Sequence, residues 1–401
     1  MSEPHSYSHS SWAIFLIFLR LGLTSFGGPV AHIGYFREEF VSRRRWITEH
    51  SYADLVALCQ FLPGPASSQV GLAIGLTQGG YRGALAAWAG FTLPSALALM
   101  LFAWGMTHIV EDSVSGALHG LKVVAVAVVT QAVWGMARTL CTDTLRVTIM
   151  AFAACFALLF PTTLGQISVI LFAGVTGARL CKPAIAATHE TLRLPVSKRA
   201  ACYWLLIFLV LLTSLPLLTQ IYPQQALAEI DAFFRTGSLV FGGGHVVLPL
   251  LQAEVVPNGW IDNDRFLAGY GAAQAVPGPL FTFAAFLGTS MQASPSGWAG
   301  GLLCLIAIFA PSFLLVAAAL PFWEALRRQI HMRAALAGIN AAVVGLLLAA
   351  LYQPVWTSAI LSPPDFALAL LALVALMFWK VPPWLVVISS GLTGWALNLA
   401  G

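Results

Sequence analysis

The chain has 401 residues, of which 59% are hydrophobic and only 9% are charged, with a formal net charge of +4. This composition lies far outside the range of soluble globular domains, and charges spread this thinly do not suggest a nucleic-acid-binding protein. The six cysteines form no CxxC pair and no metal-ligand spacing, so we expect neither a metal nor another cofactor.

Long apolar runs indicate an all-α protein that crosses a lipid bilayer several times. Residues 84–107 and 297–320 approach or exceed the roughly 20 residues that a helix needs to cross a bilayer. The first eleven residues contain Glu3 and no Lys or Arg, so a cleaved signal peptide is not expected. The sequence therefore predicts a polytopic integral membrane protein.

The first unusual segment in chain order is a glycine pair inside an apolar stretch. Residues 20–30 read RLGLTSFGGPV, and residues 60–65 read QFLPGP. Both patterns recur in the second half, where residues 235–245 read RTGSLVFGGGH and residues 274–279 read QAVPGP. Such interruptions are costly in a bilayer unless the broken helices serve a purpose.

The duplication extends along most of the chain. Further matches keep their order and spacing, and they pair Glu39 with Glu254, Trp46 with Trp260, Pro94-Ser95 with Pro311-Ser312, and residues 117–129 with 335–347. These matches predict two homologous membrane repeats, residues 1–180 and 220–401. Residues 181–219 would then form a basic connector followed by one further transmembrane helix.

Loop charges predict that the two repeats have opposite orientations, because Lys and Arg accumulate on the cytoplasmic side of membranes. The stretch after the first glycine break carries Arg37, Arg43, Arg44 and Arg45. The matching stretch of the second repeat carries Glu254, Asp262, Asp264 and only Arg265. A second pair of matched loops also reverses sign, with Glu111 and Asp112 opposite Arg327, Arg328 and Arg333.

An inverted second repeat needs an odd number of crossings between the repeats, and the apolar residues 201–218 supply one. The connector, residues 179–199, holds five basic residues and is placed in the cytoplasm. The connector stays in the cytoplasm if the segments with the glycine and Pro-Gly-Pro breaks form re-entrant hairpins with the breaks at their tips. This topology has about thirteen hydrophobic segments. The alternative is that the broken segments cross the bilayer completely.

The duplicated breaks predict a site for a small anion near the bilayer midplane. Each break exposes unpaired N–H groups and a partial positive charge at a half-helix end. Tight helix packing at glycines and kinks at prolines are the alternative reading. We favour the anion site, with candidate residues Thr24, Ser25, Gly27, Gly28, Gln60, Pro63, Gly64, Pro65, Ser67 and Ser68 in the first repeat and Gly242, Gly243, Gly244, Gln274, Pro277, Gly278, Pro279 and Thr282 in the second.

Charged residues near the breaks complete the candidate site. Arg20 and Arg235 occupy matching positions, and an arginine in an apolar segment is usually paired or functional, although it can also extend to the interface. Glu39 and Glu254 either pair with these arginines or carry a proton. His245 is a third candidate for proton coupling, because histidine exchanges protons near neutral pH, with a structural histidine as the alternative.

The segments FLRLGLTSFGGP and FFRTGSLVFGGGH, each followed by a Pro-Gly-Pro triplet, resemble the chromate ion transporter family. The resemblance covers nearly the whole chain and is to the family's long form, which has two antiparallel homologous halves. It implies export of chromate from the bacterial cytoplasm across the inner membrane, drawing on the proton motive force and conferring chromate resistance. Sulfate, a close structural mimic of chromate, is an implied competing substrate.

The predicted function is therefore chromate efflux by alternating access, in which one repeat rocks against the other around a central anion site. The alternatives are proton-coupled uptake of sulfate or another oxyanion, and a passive anion channel. An enzyme is not expected, since no catalytic set such as HExxH or GxSxG occurs. The expected partners are the oxyanion, protons and the bilayer, and a homodimer is left open.

Overall fold

A computed structural model of the chain describes residues 9–108, 111–181 and 196–400. All regular structure in these residues is helical, which confirms the predicted all-α class. Most of the basic connector predicted over residues 179–199 lies outside the described residues.

The first half contains seven helices among the described residues. Helix α4 is kinked where Gly79 and Gly80 leave helical dihedral angles, and a π-helical turn, Glu38–Arg43, follows α2. The helices are α1 Ser11–Thr24, α2 Gly28–Arg37, α3 Glu49–Phe61, α4 Ala66–His108, α5 Glu111–Leu140, α6 Thr144–Leu159 and α7 Thr163–Leu180.

Helix α8, Lys198–Ile221, separates this series from a similar one in the second half. Short 3-10 turns, Gly244–Val246 and Leu280–Thr282, precede α10 and α12, and a third, Leu320–Phe322, precedes α14. The helices are α9 Gln225–Leu239, α10 Val247–Val255, α11 Asn263–Ala273, α12 Phe283–Ser290, α13 Gly297–Ala319, α14 Trp323–Arg328, α15 Ile330–Ala350, α16 Thr357–Ala359, α17 Pro363–Met377 and α18 Pro383–Ala400. A π-helical turn, Leu351–Trp356, joins α15 to α16.

Matched capping residues begin the third helix of each series. The Thr48 hydroxyl accepts a hydrogen bond from the Ser51 N–H before α3, and the Asp262 carboxylate accepts one from the Arg265 N–H before α11. Such side chains satisfy N–H groups that have no partner within the helix. The same local chemistry therefore sets the start of both helices.

The broken segments fold back on themselves as helical hairpins. In the first half, the Phe18 ring of α1 lies 5.5 Å from the Phe36 ring of α2 and 5.0 Å from the Phe40 ring, so the two segments run antiparallel on either side of the glycine break. After the second hairpin, the Gln78 side chain donates to the Trp46 carbonyl. The counterpart in the second half is a bond from the Gln292 N–H to the Trp260 carbonyl.

The two halves interlock through their long helices. Helix α5 packs against α17 and α18 of the other half, and α15 packs against α6 and α7. Glycines allow both contacts, because a Cβ on Gly394 would lie 2.8 Å from Gly120 Cα, and one on Gly177 would lie 2.9 Å from Gly338 Cα. The swapped arrangement buries one half against the other.

Six helices of the described residues are long and apolar enough to cross a membrane. Many large apolar side chains are also exposed, notably along α8, as expected for helices that face lipid. These observations confirm a multi-pass membrane protein. The six segments are Ala66–Met106, Ser115–Leu140, Thr163–Leu180, Lys198–Ile221, Gly297–Phe322 and Ile330–Ala359.

Candidate functional site

The helix breaks of the two halves meet crosswise. The N–H of Gly64, in the first Pro-Gly-Pro triplet, donates to the carbonyl of Val240 beside the second glycine break at 2.7 Å. The N–H of Gly278, in the second triplet, donates to the carbonyl of Ser25 beside the first glycine break at 2.9 Å. There are therefore two matched junctions, and each contains one break from the first half and one from the second.

Both central glycines of the triplets are required by their surroundings. Gly64 has φ of +120° and Gly278 has φ of +99°, values that side chains rarely allow. A Cβ on Gly64 would lie 2.8 Å from the Ser312 hydroxyl, and one on Gly278 would lie 2.8 Å from the Ser95 hydroxyl. Since Ser95 and Ser312 occupy matched positions, the two junctions share one design.

One junction encloses a small cavity, which we call the break cavity. Its volume of about 90 Å³ is well above the roughly 10–15 Å³ that one water needs. The lining combines the first glycine break, the second Pro-Gly-Pro break with the end of α11, side chains of α5, and one residue each from the second glycine break and α18. These residues are Gly27, Gly28, Pro29, Val128, Gln131, His245, Ala273, Gln274, Val276, Gly278, Leu280 and Pro383.

The break cavity presents neutral hydrogen-bond donors. Helix α2 begins at Gly28, so its first N–H groups lack helical partners and carry a partial positive charge. The Gln274 side-chain nitrogen is buried and has no hydrogen-bond partner among the described residues. No Lys or Arg is among the lining residues just named. This chemistry suits a small anion that accepts several hydrogen bonds.

Two histidines hold the breaks in position. His245 Nδ1 lies 2.8 Å from the buried Tyr270 hydroxyl. The buried His32 joins the first hairpin tip to the start of α4, since its Nε2 lies 3.2 Å from the Ser25 carbonyl and its Nδ1 lies 3.3 Å from the Ser67 hydroxyl. Sequence reasoning missed His32, whose matched position is the apolar Val247.

The predicted arginines do not line the break cavity. The Arg20 side chain is exposed. Arg235 donates to Glu254 and to Asp231, both at 2.8 Å, so its charge is shared between two carboxylates. The predicted pairing of Glu254 with Arg235 is therefore present in the structure.

Glu39 pairs with arginines other than Arg20. Arg43 Nη1 donates to Glu39 at 2.9 Å and Arg44 Nε donates to it at 2.5 Å. Burial acts to raise the pKa of Glu39, but these two guanidinium groups outweigh it and lower the pKa below its ordinary value. Glu39 therefore remains ionised at neutral pH in this conformation.

The remaining predicted site residues are distributed around the two junctions. Thr24 and Gln60 are exposed, whereas Ser68 and Thr282 are buried. The Thr282 hydroxyl donates to the Pro279 carbonyl at 2.8 Å and so completes its own turn. Together with Pro63, Pro65 and Pro277, these residues stay predictions for substrate binding.

The second glycine break is packed more tightly than the first. A Cβ on Gly242 would touch Met136 and Leu140 of α5, each at 3.4 Å. A Cβ on Gly243 would lie 3.8 Å from the Met136 sulfur, and one on Gly244 would lie 3.6 Å from Pro29. Side chains of α5 thus partly fill the space beside the second glycine break that corresponds to the break cavity.

A larger polar cavity of about 920 Å³, here the polar vestibule, lies at the start of α5. The nearly buried Lys122 ammonium lies 3.0 Å from Asp264, and His119 Nε2 lies 2.7 Å from Asp365. Both contacts join α5 to the second half. The described residues contain no cluster of three or more His, Cys, Asp or Glu side chains that could hold a metal.

Comparisons with known proteins agree with this architecture. A family model described as chromate transporter matches residues 12–178 and, separately, residues 227–395. One match therefore falls in each half, and α8 lies between them.

Curated relatives extend over nearly the full length. The chain is 26% identical to the chromate transport protein of Pseudomonas aeruginosa, over 98% of this chain and 92% of the relative. It is 25% identical to the probable chromate transport protein of Synechococcus elongatus, over 94% and 93%, and 26% identical to the chromate transport protein of Cupriavidus metallidurans, over 94% and 91%. No solved structure matches the chain significantly.

Proposed function

The chain belongs to the chromate transporter family, and from this premise we propose that it carries chromate, or a closely related tetrahedral oxyanion, through the break cavity. The observation that carries the proposal is the crosswise meeting of the breaks, in which Gly278 of one half bonds to Ser25 of the other. This contact brings a helix start, a buried amide donor and glycine backbone around one small space. A dianion there would be stabilised by several N–H groups without a metal.

The proposed direction is export from the bacterial cytoplasm across the inner membrane, driven by the proton motive force and conferring chromate resistance. Proton-coupled uptake of sulfate uses the same site chemistry, because both ions are tetrahedral dianions. Within this proposal the exposed Arg20 attracts the anion toward the first glycine break. Arg235, already shared by two carboxylates, holds α9 against α10.

We place the two repeats in the membrane with opposite orientations, with the hairpins re-entrant and about thirteen hydrophobic segments in all. The interlocked packing supports this arrangement, since α5 contacts α17 and α18 in the way that α15 contacts α6 and α7. Exchanging the two halves likewise converts the Gly120–Gly394 contact into the Gly177–Gly338 contact. An axis in the membrane plane would relate both sets of contacts.

The difference between the two junctions supports transport by alternating access. One junction encloses the break cavity, and its counterpart at Gly242 and Gly243 is partly filled by Met136. In the proposed cycle the two junctions exchange these arrangements, so the anion site opens first to one side and then to the other. Such an exchange needs only two alternative packings of the same helices.

The proposal is tested by radiolabelled chromate and sulfate flux in proteoliposomes, with and without an imposed pH gradient. We expect gradient-sensitive chromate flux that Gln274→Leu weakens about 10-fold or more, because a hydrogen bond to a charged group contributes about 1.5–3 kcal/mol. Gln329→Leu, at an exposed glutamine whose side chain caps no helix, is the matched control and should transport normally. Absence of oxyanion flux in the unmodified protein would overturn the proposal.

A further inference from the structure

We propose that Glu229 is the side chain that carries the proton exchanged for the oxyanion. This inference rests on the proton-driven transport proposed above and assigns its coupling residue. Glu229 lies on α9, the first arm of the hairpin whose tip contacts Gly64 at the junction. A single short helix therefore joins the carboxyl group to a helix break.

The surroundings of Glu229 favour a neutral carboxyl group in this conformation. The residue has no exposed surface. Its contacts are with neutral groups: Gln225 Nε2 donates to Oε1 at 3.0 Å, and the Cys304 thiol donates to Oε2 at 3.9 Å. No Lys or Arg of the described residues forms an ion pair with it. A buried carboxylate without a cation is costly, so these surroundings favour the protonated, neutral form of Glu229.

The fold does not need a carboxyl group at this position. In the first half, Ile14 matches Glu229 and Ala87 matches Cys304. Both of these apolar residues are also fully buried, at the matching contact between α1 and α4. Since an isoleucine fills the same place in the same architecture, packing alone does not explain the glutamate. Its presence in only one half fits a cycle that moves protons at one site.

Groups on the neighbouring helices leave Glu229 as the uncompensated acid. Helix α13 presents the Cys304 thiol to it, and α10 carries Glu254, which pairs with Arg235. Asp231, on α9 itself, shares the same arginine. On α8 the basic residues, Lys198 and Arg199, stand in the first turn, far along a 24-residue helix from the end that precedes α9.

A route for the proton lies at the start of α9. Gln225 is half-buried and follows the exposed residues 221–224, so rotation of one amide side chain would connect the Glu229 carboxylate to solvent. In the proposed topology this end of α9 is on the outer side. A carboxylate oxygen accepts one proton there, the neutral carboxyl moves with the hairpin, and the proton leaves to the cytoplasm as the oxyanion is released outside.

The test separates exchange from gradient-driven flux in proteoliposomes. In Glu229→Gln we expect chromate–chromate exchange within about twofold of the unmodified protein, whereas stimulation by a pH gradient falls at least about 10-fold and the pH profile flattens. Glu229→Asp should recover part of the stimulation. Glu49→Gln, at an exposed carboxylate paired with Arg37, is the matched control and should remain gradient-driven.

Each result has a distinct meaning. Gradient-driven transport by Glu229→Gln at the unmodified rate would overturn the assignment to Glu229 and leave the proposed function standing. Loss of exchange together with gradient-driven flux in Glu229→Gln and in Glu229→Ile, the residue of the matched position, would make Glu229 structural. No gradient effect in the unmodified protein would instead overturn proton coupling itself.

Discussion

At the scale of single residues, the triplet glycines decide whether the halves can meet. Gly278 combines a positive φ with an N–H that donates to Ser25 and a neighbouring Ser95 hydroxyl that leaves no room for a methyl group. Gly64 has the same three features with Val240 and Ser312. The junctions therefore depend on backbone that only glycine provides without strain.

Gly278→Ala is expected to lower the free energy of unfolding by about 1–3 kcal/mol, because the new side chain forces a strained backbone angle against Ser95. The measurement is thermal unfolding in detergent, together with chromate flux. Gly34→Ala is the control, since no atom lies within 4 Å of its added Cβ and its φ is not positive. Equal stability of the two variants would contradict the assigned role of Gly278.

Sequence duplication revealed the breaks themselves but only part of their chemistry. Repeated glycines and prolines can be recognised from spacing alone, whereas His32 and Gln131 occur in one half only and have no motif. The roles of the arginines also depend on tertiary contacts. The i,i+4 spacing of Glu39 and Arg43 is a local signal for their ion pair, but the sequence does not indicate that Arg44 joins them and that Arg20 does not.

At the scale of elements, α5 runs from the polar vestibule to the break cavity and packs against the second half. Its early residues form the polar vestibule, and Gln131 lines the break cavity. Helix α11 spans the same two places, with Asp264 in the vestibule and Ala273 at the cavity. The Lys122–Asp264 contact therefore ties together the two helices that connect the vestibule to the site.

Reversing one charge of this pair should slow chromate flux several-fold, and reversing both should restore it to within about twofold. Lys122→Asp or Asp264→Lys alone places like charges in contact, and the double variant recovers the attraction, with a coupling of about 0.5–3 kcal/mol. The same exchange at the exposed Arg37–Glu49 pair is the control and should leave flux unchanged. Strictly additive effects at 122 and 264 would contradict a role for the pair.

Helix starts have a local chemical cause, whereas helix partners depend on distant parts of the chain. Thr48 and Asp262 are strong capping residues ahead of apolar patterns, and both do begin helices. The kink in α4 also has a local signal, the glycine pair Gly79-Gly80. The packing of α5 on α17 and α18 has none, because it depends on contacts between residues far apart in the chain.

At the scale of the whole molecule, a matched hydrogen bond closes the pair of hairpins in each half. The first pair of hairpins closes where Gln78 bonds to Trp46, and the second pair closes where Gln292 bonds to Trp260. The basic residues beside Trp46 and the acidic residues beside Trp260 differ in sign. The proposed inverted repeats would place these two contacts on opposite sides of the membrane, as the distribution of basic residues predicts.

This topology predicts the side from which two matched loops react. In a background with Cys155 and Cys202 replaced by alanine, Ser42→Cys should be labelled by a membrane-impermeant maleimide only from the cytoplasmic side, and Asn258→Cys only from the outside. Both positions are exposed on the folded protein, so each should react when the reagent is on its side of the membrane. The unlabelled parent background controls for the remaining cysteines, and retained chromate flux shows that both variants are folded. Labelling of both loops from the same side would mean that the repeats are parallel. It would also contradict the proposed transport cycle, in which two symmetry-related junctions exchange their arrangements.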